Sequence, residues 1–235
     1  MKRIRSVFAL TVLLLTLTCC AKPTPQEGAG EAQTGQQAFT EEQTVKPDDR
    51  TGESKPVFAC DAAFFGDSIT ADSNFDTFFE DRTIVNLGVY GDTINDLRRR
   101  VQTLRETNPA RIFLLVGINC LREDNLPQCV EDYSALIGDI RSACPEAALH
   151  IQSVLPIGAE VEAPGWCTNE TVRAFNAELE KLARSRGLPY IDLYSLYEKD
   201  GVLDPAKTRD GLHLNFNCYG PWAEAVHPYL TGNTP

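Results

Sequence analysis

Short apolar runs alternate with longer amphipathic ones from about residue 56 onward. The runs AAFFG (62–66), TIVNLG (83–88), RIFLLVG (111–117), LHIQSVLP (149–156) and PYIDL (189–193) are continuous and rich in β-branched and aromatic residues. Each ends in Gly, Pro or a polar residue, which predicts strands buried on both faces. Between them the apolar spacing changes to that of helices. Residues 93–107 place Ile94, Leu97, Val101 and Leu104 on one face with arginines opposite, predicting a single helix. Residues 129–143, 169–186 and 218–230 follow the same rule, the second ending before Gly187 as a helix C-cap would.

A βαβα alternation implies a parallel sheet with helices on both faces. Five strands suit a flavodoxin-like, doubly wound, three-layer α/β sandwich, whose ligand site lies beyond the carboxyl ends of the strands. Ser68 follows the first strand, Gly91 the second and Asn119 the third, so this topology gathers all three at one sheet edge.

Residues 1–55 read differently. A basic start, MKRIRS, precedes the apolar run VFALTVLLLTL and then TCCAK. The run is too short to span a bilayer but suits the h-region of an export signal. LTCC (17–20) resembles a bacterial lipoprotein box, which implies cleavage after residue 19 and a lipid on Cys20. An ordinary cleaved signal peptide is the competing reading. Residues 20–55 are rich in Gly, Gln, Glu, Thr and Pro and cannot bury enough apolar surface to offset their ordering entropy. They are expected to form a disordered tether reaching roughly 30 Å. Residues 56–235 then form one domain, exported and held on a membrane by its lipid.

Composition narrows the function. The formal charge is −11, and removal of Lys2, Arg3 and Arg5 with the signal makes it three charges more negative. Such a surface repels nucleic acid and gains nothing from counterion release. Beyond the anchor lie Cys60, Cys120, Cys129, Cys144, Cys167 and Cys218. An oxidising compartment permits up to three bridges among them, and buried free thiols are the equal alternative. No CxxC or Cys/His cluster has zinc spacing, so no metal or organic cofactor is expected.

The stretch FFGDSIT (64–70) poses the chemical question, because Ser68 reads either as a nucleophile or as part of a helix cap. A nucleophilic serine needs a base, and the base needs orienting. Of the three histidines, His150 sits at the entry end of a strand and His227 within the last helix, which suits packing. His213 lies in TRDGLHLN, three residues after Asp210 and beside Gly211. That loop either folds the carboxylate under the imidazole or uses Asp210 as a turn former and His213 as a cap.

In order, FFGDSIT, NLGVYGDT, LLVGIN and RDGLHLN resemble the four sequence blocks of SGNH hydrolases, the GDSL-type esterases and lipases. The resemblance runs from about Ala62 to the C-terminus. It implies the SGNH hydrolase fold, Ser68 as nucleophile, His213 as base and Asp210 as its partner. It also implies an oxyanion hole of Ser68, Gly91 and Asn119, with Gly91 a better match than Gly88. Members usually carry an acid after the third-block Asn; here it is Cys120, which a bridge to Cys129 or Cys167 would stiffen. The expected activity is serine esterase, removing small acyl groups, chiefly acetyl, from a small-molecule or glycan ester. Alternatives are a lysophospholipase or thioesterase on longer chains, or a non-catalytic lipoprotein that binds glycans or a partner. Asp67 and Trp166 are the candidates for substrate contact. Trp166, in the stretch 157–171, reads equally as a sugar-stacking face and as an anchor for a surface loop.

Overall fold

The computed structural model describes residues 57–163 and 166–232. The expected signal peptide, Cys20 and the tether lie outside them. A five-stranded parallel sheet is formed by β1 (Ala62–Gly66), β2 (Ile84–Gly88), β3 (Arg111–Leu115), β4 (Ala148–Gln152) and β5 (Tyr190–Ile191). Its order, β2-β1-β3-β4-β5, is the flavodoxin-like doubly wound arrangement. Gly66 pairs with Gly88 on one side and with Leu115 on the other, so the segments leaving β1, β2 and β3 depart from one level.

Successive side chains of β1 point to opposite faces. Phe64 stacks on Phe113 (4.9 Å) and on Phe75 (4.0 Å) of α2 (Phe75–Phe78), and Trp222 of the C-terminal helix, Gly220–Thr231, meets Phe75 edge-on. Phe65 lies on the other face, where Arg100 covers its ring at 4.5 Å. Each ring is fully buried, contributing roughly 1.5–3 kcal/mol. The short α1 (Ser68–Ala71) leads out of β1.

The stretch predicted as one helix over 93–107 is two: α3 (Ile94–Arg99) and α4 (Gln102–Thr107). Thr93 and Asp96 close a capping box at the start of α3. Arg100 then leaves helical geometry (φ −110°, ψ 18°), and its guanidinium turns back to Asp92 and to the Gly66 carbonyl. The long helices α5 (Leu126–Ala143) and α6 (Asn169–Ser185) match the expected spans to within a turn, and both bury one apolar stripe. After α7 (Tyr194–Tyr197), β6 (Glu198–Lys199) and β7 (Val202–Leu203) form a small hairpin, and α8 (Gly220–Thr231) closes the fold.

Candidate active site

Gly66 ends β1, and Asp67 caps α1 by accepting the Ile69 N–H at 3.0 Å. Ser68 is therefore the first helical residue, and its own amide has no partner within the helix. The far end of α1 is held from β2. Asn86 Nδ2 donates to the carbonyls of Thr70 (2.9 Å), Ala71 (3.3 Å) and Ser73 (3.2 Å). β2 must end in glycine for α1 to pack so closely, since a Cβ on Gly88 would lie 2.2 Å from the Ala71 nitrogen.

The base arrives from the loop between β7 and α8. Asp210 Oδ1 accepts the amides of His213 (2.7 Å) and Leu212 (3.0 Å), while Oδ2 lies 2.7 Å from His213 Nδ1. Gly211 supplies the left-handed residue (φ 79°) that lets the chain turn back so tightly. His213 Nε2 is 2.9 Å from Ser68 Oγ. Asp210 thus forms the turn and meets the imidazole, and His213 faces the serine instead of capping a helix. Partial burial pushes the Asp210 carboxyl up, but the hydrogen bonds from His213 and Leu212 outweigh it and leave the group below its usual range.

At the end of β2, the Gly88 amide is already committed to Asn86 Oδ1 (2.9 Å). Gly91 (φ 79°) is exposed, and its amide makes no hydrogen bond among the described residues. Asn119 Nδ2 donates one hydrogen to the Asp92 carbonyl (2.9 Å), leaving its second N–H available. Arg100 fixes that arrangement from below, through Asp92 Oδ2 (2.5 Å) and the Gly66 carbonyl (2.9 Å).

Asp67 corrects an expectation. Expected at the substrate, it is instead fully buried and caps its own helix, where it acts on the position of Ser68. Burial raises its carboxyl to about 7, more strongly than the Ile69 amide lowers it, and Cys120 and Asp92 add to the rise. Trp166 is half-buried under the Arg122 guanidinium (5.6 Å). Its loop reaches the base loop through Gly158 N–H, which donates to the Gly211 carbonyl (2.6 Å). His150 is buried between Phe113 and Tyr229, and burial lowers it to about 4. His227 stacks on Phe79. Among the described residues no group of three or more His, Cys, Asp or Glu is arranged to hold a metal ion.

The model of the GDSL-like lipase/acylhydrolase family matches residues 64–219, which include Ser68, Gly91, Asn119, Asp210 and His213. The chain belongs to that family. No curated protein matches. Solved structures of GDSL-type proteins share its fold. A lipase/acylhydrolase of Enterococcus faecalis is 20% identical, with a TM-score of 0.61 over 74% of this chain and 96% of its own. A GDSL-like lipase of Bacteroides thetaiotaomicron is 18% identical, with a TM-score of 0.60 over 74% and 88%. An acetyl xylan esterase is 20% identical, with a TM-score of 0.60 over 72% and 98%.

As a GDSL-like acylhydrolase the chain is, in general terms, an ester hydrolase. One position departs from the family's usual acid after the block-three Asn. The Cys129 thiol donates to the Cys120 carbonyl (3.7 Å) and to Asn125 Oδ1 (3.4 Å), and its proximity lowers the Cys120 thiol to about 7 while Cys129 is pushed up. Asn125 Nδ2 also donates to the Cys120 carbonyl (2.8 Å), so polar contacts hold this turn where a carboxylate is customary. All six described cysteines are thiols, with Cys60, Cys129 and Cys167 buried.

Proposed function

We propose that this GDSL-like acylhydrolase is a serine esterase that removes small acyl groups, acetyl foremost, from carbohydrate esters. The observation that carries the reading is the continuous chain Ser68 Oγ, His213 Nε2, His213 Nδ1, Asp210 Oδ2, with contacts of 2.9 and 2.7 Å. With Nδ1–H directed at Asp210, the neutral imidazole presents the Nε2 lone pair to the serine. Ser68 Oγ attacks the ester carbonyl carbon while its proton passes to Nε2. The oxyanion is received by the amides of Ser68 and Gly91 and by Asn119 Nδ2. Collapse breaks the bond to the alcohol, which takes the proton back from Nε2. Water, deprotonated by the same nitrogen, then releases the acid and restores Ser68.

The likeness in fold to an acetyl xylan esterase supports the substrate half, as does the indole of Trp166 on the loop that joins the base loop. Fluorophosphonate labelling of the full chain beside Ser68→Ala tests the nucleophile: wild type alone is expected to label, and equal labelling of both refutes it. Nitrophenyl esters of increasing acyl length test the substrate, with activity expected to fall sharply beyond propionyl. Activity that rises with length would favour a lysophospholipase or thioesterase.

The same reading places the enzyme outside the cytoplasm, on a bacterial membrane through a lipid on Cys20. The basic start, the apolar run and the LTCC box of residues 1–20 support this. Incorporation of a labelled fatty acid by wild type and not by Cys20→Ser is the expected outcome, and labelling of both variants would refute it.

A further inference from the structure

Asp72 stands just past α1, and its amide donates to the Ser68 carbonyl at 3.0 Å. Its side chain is only 4% exposed. One carboxylate oxygen accepts from Arg209 Nη2 and the other from the Tyr90 hydroxyl. Both partners come from segments that deliver other parts of the site. Arg209 immediately precedes Asp210; its amide donates to the His213 carbonyl (3.2 Å) and its Nη1 to the Leu214 carbonyl (3.2 Å). Arg209 therefore spans the whole base loop. Tyr90 immediately precedes Gly91, and its ring centre lies 6.4 Å from that of His213. A single carboxylate thus ties together the nucleophile helix, the base loop and the loop carrying Gly91. It bonds to none of Ser68 Oγ, His213 or Asp210.

We infer that Asp72 is a positioning residue that sets the separation of Ser68 and His213 and the placement of Gly91. The inference rests on Ser68 and His213 being the reacting pair. A buried ion pair gives little net stability compared with apolar residues of the same size, so stability alone is a weak reason for one here. Its location gives a better reason. Arg209 and Asp72 are separated by 137 residues and meet where the two loops must be aligned. Reactions of this kind lose about a hundredfold when a reacting group is displaced by roughly 1 Å.

The test compares full-length wild type, Asp72→Asn, Asp72→Glu, Arg209→Met and the Asp72→Asn/Arg209→Met double variant. Asn keeps the shape and an acceptor for Tyr90 but sets an NH₂ against Arg209. For nitrophenyl acetate, kcat is expected to fall about a hundredfold in Asp72→Asn and Arg209→Met with little change in KM. Asp72→Glu should recover part of the loss, and the double variant should be no worse than either single one. Crystal structures should show Ser68 Oγ and His213 Nε2 within hydrogen-bond distance in wild type and beyond about 3.5 Å in Asp72→Asn. An unchanged separation in Asp72→Asn with wild-type kcat overturns the inference, as does a double-variant loss equal to the product of the single losses. An inert wild type in which Asp72→Asn still parts the two residues refutes the esterase reading and supports the positioning role.

Discussion

Asp67→Asn replaces a buried acid with a neutral group of the same shape, and its effect on stability should depend on pH in a definite sense. The native carboxyl is raised from 3.8 to about 7 because it lies fully out of water. Oδ1 has the Ile69 amide, but Oδ2 has no hydrogen-bond partner among the described residues. In the unfolded chain the group ionises near pH 4. Between those values the unfolded chain carries fewer protons than the native one, so this group's contribution falls as pH rises from about 4 to about 7. At 1.36 kcal/mol per pH unit, the displacement amounts to about 4 kcal/mol. Asparagine does not ionise and still offers Oδ1 to Ile69. The two proteins should therefore be similarly stable near pH 4, and by pH 8 the variant should be the more stable by up to about 4 kcal/mol. Urea denaturation of both chains at steps between pH 4 and 8 gives the difference curve directly, with equal m-values as the check on two-state behaviour. A difference that does not change with pH would show that Asp67 is already ionised in the native protein. A variant less stable at pH 8 would show that the ionised carboxylate has a stabilising partner in the native protein.

Asn119→Ala removes one oxyanion donor and should lower kcat by a hundredfold or more, since such a donor is worth about 2.7–4 kcal/mol; near-normal turnover on nitrophenyl acetate would remove Asn119 from the site. Arg100→Met keeps much of the contact with Phe65 but releases Asp92 and the Gly66 carbonyl. It should reduce kcat more than KM, and a loss confined to thermal stability would mean that Arg100 only packs the fold. Because the Cys129 thiol sits against the Cys120 carbonyl (3.7 Å) and both cysteines are free, a mild thiol oxidant should join them, and intact mass with and without reductant should show the bridge. A Cys120 that alkylates fully after oxidant treatment would refute this.

Much of the fold was readable because hydrophobic period and chain punctuation agreed. FFGDSIT, with its apolar run and its Gly-Asp-Ser turn, located both β1 and the start of α1. The break at Arg100 was hidden, because Val101 and Leu104 continue the apolar face of α3 and local periodicity carries no sign of a guanidinium drawn away by Asp92. The β6–β7 hairpin did carry a signal. Asp200 (φ 53°) and Gly201 (φ 88°) form the two-residue turn that an Asp-Gly pair favours, but strands this short have no periodicity to detect. In the site, Asp210 and His213 were legible because they share one loop. Asp72 and Tyr90 were not, since each is a common surface type and their meeting with Arg209 is purely tertiary. The burial of Asp67 was missed for a similar reason: a residue beside a nucleophile reads as accessible until the helix is packed over it.

The 145 positions between Ser68 and His213 also bear on biosynthesis. A ribosome adds the nucleophile early, and all five sheet strands have been translated by Ile191, before the imidazole. A chain that stops short of residue 213 can therefore contain every sheet strand and remain inert. A product truncated between Ile191 and Thr208 would keep the serine and lack any means of activating it. Hydrolytic competence is among the last properties this polypeptide acquires.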